Sequence, residues 1–569
     1  MAGEDPVSLP APADVWEQHL RWVATGIADL VRIAYGLTPT VARAERLEAS
    51  YGLLRKASSE TARRLFGDPW TAAWVREGSE LVRRRAPELL PDGPWRHHLR
   101  QLGGLALSAG LIEGWEVSAR VGPSEPSACW LAGTGSELRP PPQAEAPIEV
   151  RLADGIFTAG QLRLEVREWP VVAGFRLAGW RGFQPTRGEG CMLVEGLRAE
   201  RWKAPLEQAR RLLEADPSSQ ELVEHMLHLL VPLQPASDPD VHRSLSTPAL
   251  PGLVFAAWTN RAEVIAEALV HECDHQWLHL IEQLHGVFEG PRCLRPAVWY
   301  SPWRTDPRPL DGLLRGASAF ARVGRFWTRV HGIQGEGRHG ARACLTLLQA
   351  AEALSVVNAQ PVLSEVGERL TSALSAQVRS DLARLEGREG WEQWRDEAQL
   401  SLAAHRAAWQ GRYGRSPISS PGELPLDLPL PEDPSAGALV LGEIRLDLAR
   451  PEAATVLLEL DGARDIIAQG QAEVRAEGDL AALVLELDGA WVRGEVDAAL
   501  RSATRLVERR PHWRFSWLRL ATALRMAGET DIGTALALST GPQLSALARR
   551  VQEHPAAWLD EVRLALQGC

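Results

Sequence analysis

Between Ala262 and His285 no proline or glycine interrupts the chain, and alanine, leucine, glutamate and glutamine dominate the stretch. Such residues lose little side-chain freedom in a helix, so a long α-helix is the first thing the sequence dictates. At its centre His271, Glu272 and His275 form one H-E-x-x-H. Residues i and i+4 share a helical face, so both imidazoles can reach one metal ion, with Glu272 beside them. Val264, Ala268 and Leu278 fall on the same face, which predicts that the histidine pair looks into a packed interior. His279 follows four residues on, but three histidines along a straight helix splay too far for one ion. It is expected to be a supporting or purely structural residue.

The rest of the chain sets the context of that helix. At 569 residues it is long enough for more than one domain. A net charge of -11 argues against nucleic acid or an anionic membrane as the main partner. The six cysteines are scattered without C-x-x-C spacing, which points to a reducing compartment and away from a disulfide framework. The first residues lack a basic segment followed by an apolar one, and no apolar run is long enough to span a bilayer. A cytoplasmic location is the expectation.

The predicted fold class is mainly α with a β-containing portion (α+β): a metallohydrolase-like HExxH helix domain followed by a helical-hairpin repeat domain. Apolar residues at helical spacing predict an N-terminal helical region over 1–112, with Gly36, Gly67 and Pro91 among its breaks. The adjacent His97 and His98 point about 100° apart on a helix, which favours solvated or capping roles over a metal pair. Short alternating segments such as WEVSARV and PIEVRLA predict a β-rich portion over 113–215, with helix returning at 206–215 and 220–230. The metal-site domain is placed at 216–414. Within it 253–258 reads as a strand, either an edge strand along a metal cleft or an internal hairpin strand. Helices are expected from Leu313 to Val330 and from Ala341 to about Gly411. The proline-dense 415–437 reads as an extended linker. Residues 438–569 read as helical and tetratricopeptide-like, because Gly494, Asp497 and Ala503 recur as Gly528, Asp531 and Ala537 at the repeat's spacing.

Two chemistries suit the motif. In a zinc hydrolase the two histidines bind the metal and Glu272 acts as general base on a metal-bound water. The usual H-x-x-G-x-x-H extension is absent, since 278 is Leu and 281 is Ile, and Glu352 is a distant candidate for a third ligand. In a non-haem iron oxygenase, two histidines leave open positions for O2 and a co-substrate. A 2-oxoglutarate co-substrate needs a cationic partner. Arg304 and Arg308, stiffened by Pro302, Pro307 and Pro309, could provide it. A non-catalytic binding protein working through its C-terminal repeats is the third class. Pattern chemistry leaves the three open.

The run from SLSTPALPGLV through AEALVHECDHQWLHLI to WYSPWRTDPRPLDGLLRGASAFARVGRFW resembles the HExxH-type family of peptide-modification proteins found near ribosomally made peptides. That family is regarded as iron- and 2-oxoglutarate-dependent peptide β-hydroxylases. The resemblance covers roughly residues 220–410, and its Y-x-P-W-R-x-D-P-R-P loop is more specific than the five-residue motif. It implies that His271 and His275 bind Fe(II), with Glu272 in the motif and the arginines at 304 and 308 at the co-substrate. A peptide or protein would be the substrate, and the C-terminal repeats would recognise it or a partner protein. The sequence departs from the family where many members read Leu-His-Gly, having Leu314–Arg315–Gly316. It also has Cys273 and Asp274 inside the motif.

Overall fold

The computed structural model describes residues 9–83, 94–122, 129–139, 148–178, 199–233, 243–289, 299–360, 362–413, 438–441, 444–447, 474–477 and parts of 482–567. The chain is mostly helical with several antiparallel sheets, and it divides into two compact units. The region 216–414 is shared between them, because the division falls after Val287.

The first unit comprises Ser8–Ala236 and His242–Val287. It opens with α1 (Pro12–Leu37), α2 (Pro39–Ala44), α3 (Leu47–Lys56), α4 (Ser59–Phe66), α5 (Pro69–Arg83) and α6 (Pro94–Glu113). Proline begins four of these six, where its missing N–H costs nothing. Ser58 caps α4 by accepting the Thr61 N–H at 3.2 Å. Strands β1 (Val117–Val121), β2 (Cys129–Leu131), β3 (Ser136–Arg139), β4 (Ile148–Ala153), β5 (Ile156–Ala159), β6 (Leu162–Arg163), β7 (Glu165–Glu168), β8 (Val171–Val172) and β9 (Phe175–Arg176) follow. They form small antiparallel sheets in the orders β1-β4-β5-β6 and β2-β3-β7, with β8-β9 as a hairpin. Val117, Ala119, Val150, Leu152 and Phe157 point inward onto Ala106 and Leu107 of α6.

The unit continues with α7 (Ala199–Leu213), α8 (Pro217–Met226), β10 (Leu229–Leu233), β11 (Ser244–Ser246), β12 (Leu253–Ala257) and α9 (Ala262–His285). The segment 220–230, expected to be wholly helical, stops at Met226 and gives way to strand β10, whose Leu and Val residues are buried from end to end. Of the two roles left open for the next strand, β12 takes the internal one. It lies between β10, to which it is parallel, and β11, to which it is antiparallel, so β11 is the outer strand. The core of the unit joins Val23, Ile27 and Leu30 of α1 to Trp95 and Leu99 of α6 and to Val231 and Phe255 of the sheet.

The second unit is built mainly from Phe288–Cys569. Four long helices dominate it: α10 (Leu310–Gln334), α11 (Gly337–Asn358), α12 (Glu365–Leu385) and α13 (Trp391–Tyr413). Gly324 lets α10 and α11 approach closely, since a Cβ there would fall 2.5 Å from Leu347 Cγ. Helix α11 is the one helix among the described residues long and apolar enough to cross a membrane. Most of it is buried, and it packs on α10, α12 and α13 as a core helix. Residues 415–437, read as a linker, lie outside the described residues. The region after it is not uniformly helical. β13 (Ala438–Leu441), β14 (Ile444–Asp447) and β15 (Val474–Glu477) form an antiparallel sheet with β13 central. A helical hairpin follows in α14 (Val496–Arg509) and α15 (Arg514–Met526), with α16 (Trp558–Gln567) near the C-terminus. Ala503, Trp517, Leu520 and Ala521 fill its core, and Trp517 Nε1–H donates to the Pro511 carbonyl at 2.6 Å. Gly494, Asp531 and Ala537 of the proposed repeat lie outside the described residues.

Candidate functional site

Helix α9 runs unbroken to Gly286, whose φ of +68° ends it while its N–H still donates to the Glu282 carbonyl. Ile265, Leu269, Trp277, Leu280 and Ile281 are buried, and the helix packs on α1, α7, α8, β11 and β12. Gln276 locks its position, because its buried Nε2 donates to the Leu253 carbonyl at 3.1 Å and the Leu250 carbonyl at 3.4 Å. One stripe escapes this packing. Glu267, His271, His275, His279 and Glu282 are half-buried at successive turns. The histidines therefore do not look into the packed interior as their spacing suggested. They occupy the face that the hydrophobic residues leave over, while Ala268 and Leu278 turn inward beside it.

The two imidazoles stand side by side, ring centroids 4.5 Å apart and planes at 78°. The i, i+4 spacing thus brings the two rings together on one face of the helix. Among the described residues no group of three or more His, Cys, Asp or Glu side chains is arranged to hold a metal. His279 Nδ1 is 3.6 Å from Glu282 Oε2, an interaction within its own helix. Cys273 is fully buried. Burial first, then the Glu272 and Asp274 charges, push its thiol well above the usual range, so it stays protonated and is a poor ligand.

Glu272 is turned the other way. It is 4% exposed, and Ser244 Oγ donates to its Oε1 at 2.8 Å while Ser246 Oγ donates to its Oε2 at 2.7 Å. Side chains alternate along a strand, so Ser244 and Ser246 share one face of β11 and reach α9 together, while Leu245 packs against the core from the other. Neither serine stood out in the sequence. The signal that could have found them is S-x-S in a short strand one strand ahead of the motif helix.

The arginine loop belongs to the second unit. Trp299 and Arg308 close it through reciprocal backbone hydrogen bonds of 3.0 and 2.9 Å. Trp303 stacks on Phe320 at 4.5 Å, over Gly316, where a Cβ would strike its ring. Tyr300 Oη is 2.9 Å from His405 Nδ1, and the Pro302 carbonyl accepts from Gln349. On this frame Arg304 Nε donates to Asp306 Oδ1 at 2.7 Å, and Arg308 Nη1 reaches Asp306 Oδ2 at 3.3 Å. Burial pushes the Asp306 carboxyl up, but the Arg304 hydrogen bond and the two guanidinium charges outweigh it and hold the group below its usual range. The arginines therefore already grip a carboxylate, their neighbour's.

Two other residues singled out in the sequence are engaged in ion pairs. Glu352 is held by Arg406, whose Nη2 lies 2.6 Å from its Oε1. Arg315 pairs with Asp311 one turn earlier at 3.4 Å. His98 is neither solvated nor a cap. It is 4% exposed and stacks on Trp74 and Trp95, while His97 is exposed. No family model matches the chain, and no curated protein matches it.

Proposed function

We propose that this chain is an iron- and 2-oxoglutarate-dependent hydroxylase of a peptide side chain, with His271 and His275 as its metal ligands. The engagement of Glu272 carries this reading over a zinc hydrolase. A hydrolytic site needs its glutamate free to take a proton from water at the metal. Here both Glu272 oxygens accept serine hydroxyls, and the residue is buried against β11. A carboxylate held so fixes the helix to the strand and leaves the accessible stripe to the imidazoles. Two imidazoles on one helical face suit a redox metal that must also take O2 and a co-substrate.

Bound iron would supply the O2 chemistry of the net reaction, in which a C–H bond, O2 and 2-oxoglutarate become an alcohol, succinate and CO2. The chain's own part is to present His271 and His275 from a helix locked by Gln276 and Glu272. Arg304 and Arg308 would accept a co-substrate carboxylate in exchange for Asp306. The C-terminal helical hairpin would serve peptide or partner recognition.

The test is anaerobic loading of the full chain with Fe(II), followed by 2-oxoglutarate and a visible spectrum. The expected result is a weak charge-transfer band that disappears in His271→Ala. Tight zinc retention without the band, together with peptide cleavage lost in Glu272→Gln, would overturn the reading in favour of a hydrolase.

A further inference from the structure

Arg76 leaves the middle of α5 and reaches the far end of α9. Its Nη1–H donates to the Pro248 carbonyl, and its Nη2–H donates to Gln283 Oε1 at 2.5 Å. Both acceptors are neutral, and they use only two of the five N–H donors that a guanidinium carries. Three other half-buried arginines hold a glutamate: Arg100 holds Glu45, Arg406 holds Glu352 and Arg563 holds Glu529. Arg76 pairs with no carboxylate among the described residues. The acids beside it on α5 and beside Gln283 on α9 are turned to other groups, Glu77 to His98, Glu80 to Arg83 and Glu282 to His279. Burial therefore pushes the guanidinium below its usual range with no anion to offset it.

Two polar atoms near it are short of a partner. Gln283 Nε2 is buried with no hydrogen-bond partner among the described residues, and it belongs to the same amide that accepts from Arg76. His19 on α1 is 1% exposed, and its Nδ1 is likewise without a partner among the described residues. It lies close enough to Arg76 for that charge, after burial, to help push the imidazole down to about 3. Burial also pushes the neighbouring His228 down to about 4, so both rings are uncharged at neutral pH and Arg76 alone supplies charge. Buried polar atoms without partners cost stability until something supplies one. Pro248 is exposed and Arg76 half-buried, so the cluster opens to solvent on that side.

We infer that Arg76 and Gln283, bordered by His19, form a binding site for a carboxylate group of the peptide substrate. One positive charge on a planar donor fork matches one carboxylate, and donors on two adjacent side chains match its two oxygens. Gln283 lies just over two turns beyond His275 on α9, about 12 Å along the helix axis. An extended peptide covers that distance in roughly three or four residues. The group is its C-terminus or an acidic side chain. The assignment to a substrate rests on the hydroxylase reading, whereas the carboxylate site rests on α1, α5 and α9 alone, all within the first unit.

The test is calorimetric titration of the full metal-free chain with N-acetyl-trialanine bearing a free C-terminus, its C-terminal amide, N-acetyl-Ala-Asp-Ala amide and acetate. The site predicts that a carboxylate peptide binds about tenfold more tightly than the uncharged amide, and that Arg76→Gln removes the preference. Tighter binding of the free acid assigns the group to a C-terminus, and tighter binding of the aspartyl peptide assigns it to a side chain. Gln283→Leu keeps the guanidinium and removes the amide N–H, so it should lower the affinity severalfold, and it serves if Arg76→Gln fails to fold. No binding, or equal binding of all three peptides, would overturn the inference, and so would an unchanged preference in a folded variant. Acetate binding as tightly as the peptides would mean a free small carboxylate and reject the peptide assignment. No metal is needed, so the outcome is separate from the charge-transfer test: a carboxylate preference without that band keeps the site and rejects only the hydroxylase reading.

Discussion

The motif helix and the arginine loop solve the same problem in opposite surroundings. Each carries a carboxylate that residues next to it in the fold have already taken: Glu272 by two serines, Asp306 by two arginines. Glu272 is 4% exposed, whereas the Asp306 side chain is 44% exposed. A buried carboxylate that loses its donors keeps the full desolvation cost, while an exposed one is rehydrated. The hydrogen bonds of Glu272 are therefore expected to hold architecture together. Those of Asp306 are an arrangement that solvent or a competing carboxylate can replace.

The largest effect should come from Glu272→Ala. It strands the Ser244 and Ser246 hydroxyls against α9 and should cost about 2–4 kcal/mol of stability, measured by urea unfolding. A loss below about 1 kcal/mol would erase the contrast with Asp306. Ser244→Ala and Ser246→Ala should each cost about 1–2 kcal/mol. In a double-mutant cycle with Glu272→Gln, their coupling should be of the same order, and additivity would mean that the serines do not act through that carboxylate.

Acid should weaken both units through buried neutral histidines. His19 in the first unit is 1% exposed, and burial, then the Arg76 and His228 charges, push it down to about 3. In the second unit burial pushes His405 down to about 4. An unfolded imidazole takes its proton near its usual value of 6.5, well before the folded one does. Between those values the unfolded state binds more protons, so stability falls as pH falls, by at most about 1.4 kcal/mol per pH unit for His19. Thermal melts should decline from pH 6.5 toward 4 and flatten in part in His19→Gln. A level profile in the wild type would contradict the burial of neutral imidazoles.

Much of α9 was legible because one long uninterrupted stretch has a single low-energy answer, and the i, i+4 histidines follow from that helix alone. The direction they face was not legible. The positions around His271 mix small and large apolar residues on every side, and only the packing of α1, α7, α8 and the sheet decides which stripe is left over. The serine clamp depends on β11 being registered with Ser244 opposite Ala256, a long-range pairing that local pattern does not encode. His98 was misread for a related reason. One of its stacking partners, Trp74, comes from a different helix, α5, and neighbours along α6 carry no sign of it. Strands β13 to β15 were hidden inside Ala- and Leu-rich sequence, whose composition favours helix until strand pairing overrides it.

The smallest structural effect belongs to the exposed loop, and it is the one that separates scaffold from binding. Asp306→Asn weakens two half-exposed ion pairs, so it should change stability by less than about 1 kcal/mol, and less still at high salt. It also removes the carboxylate that Arg304 and Arg308 now grip, leaving a pair of guanidinium groups on a frame fixed by Trp303, Tyr300 and the Trp299–Arg308 bridge. If those arginines exchange Asp306 for a co-substrate, the variant should bind 2-oxoglutarate several-fold more tightly, and Arg308→Gln should bind it more weakly. Unchanged affinity in both would make the loop a structural clasp, with its arginines paired to Asp306 for the fold alone. The contrast with Glu272 would then be one of exposure and not of purpose.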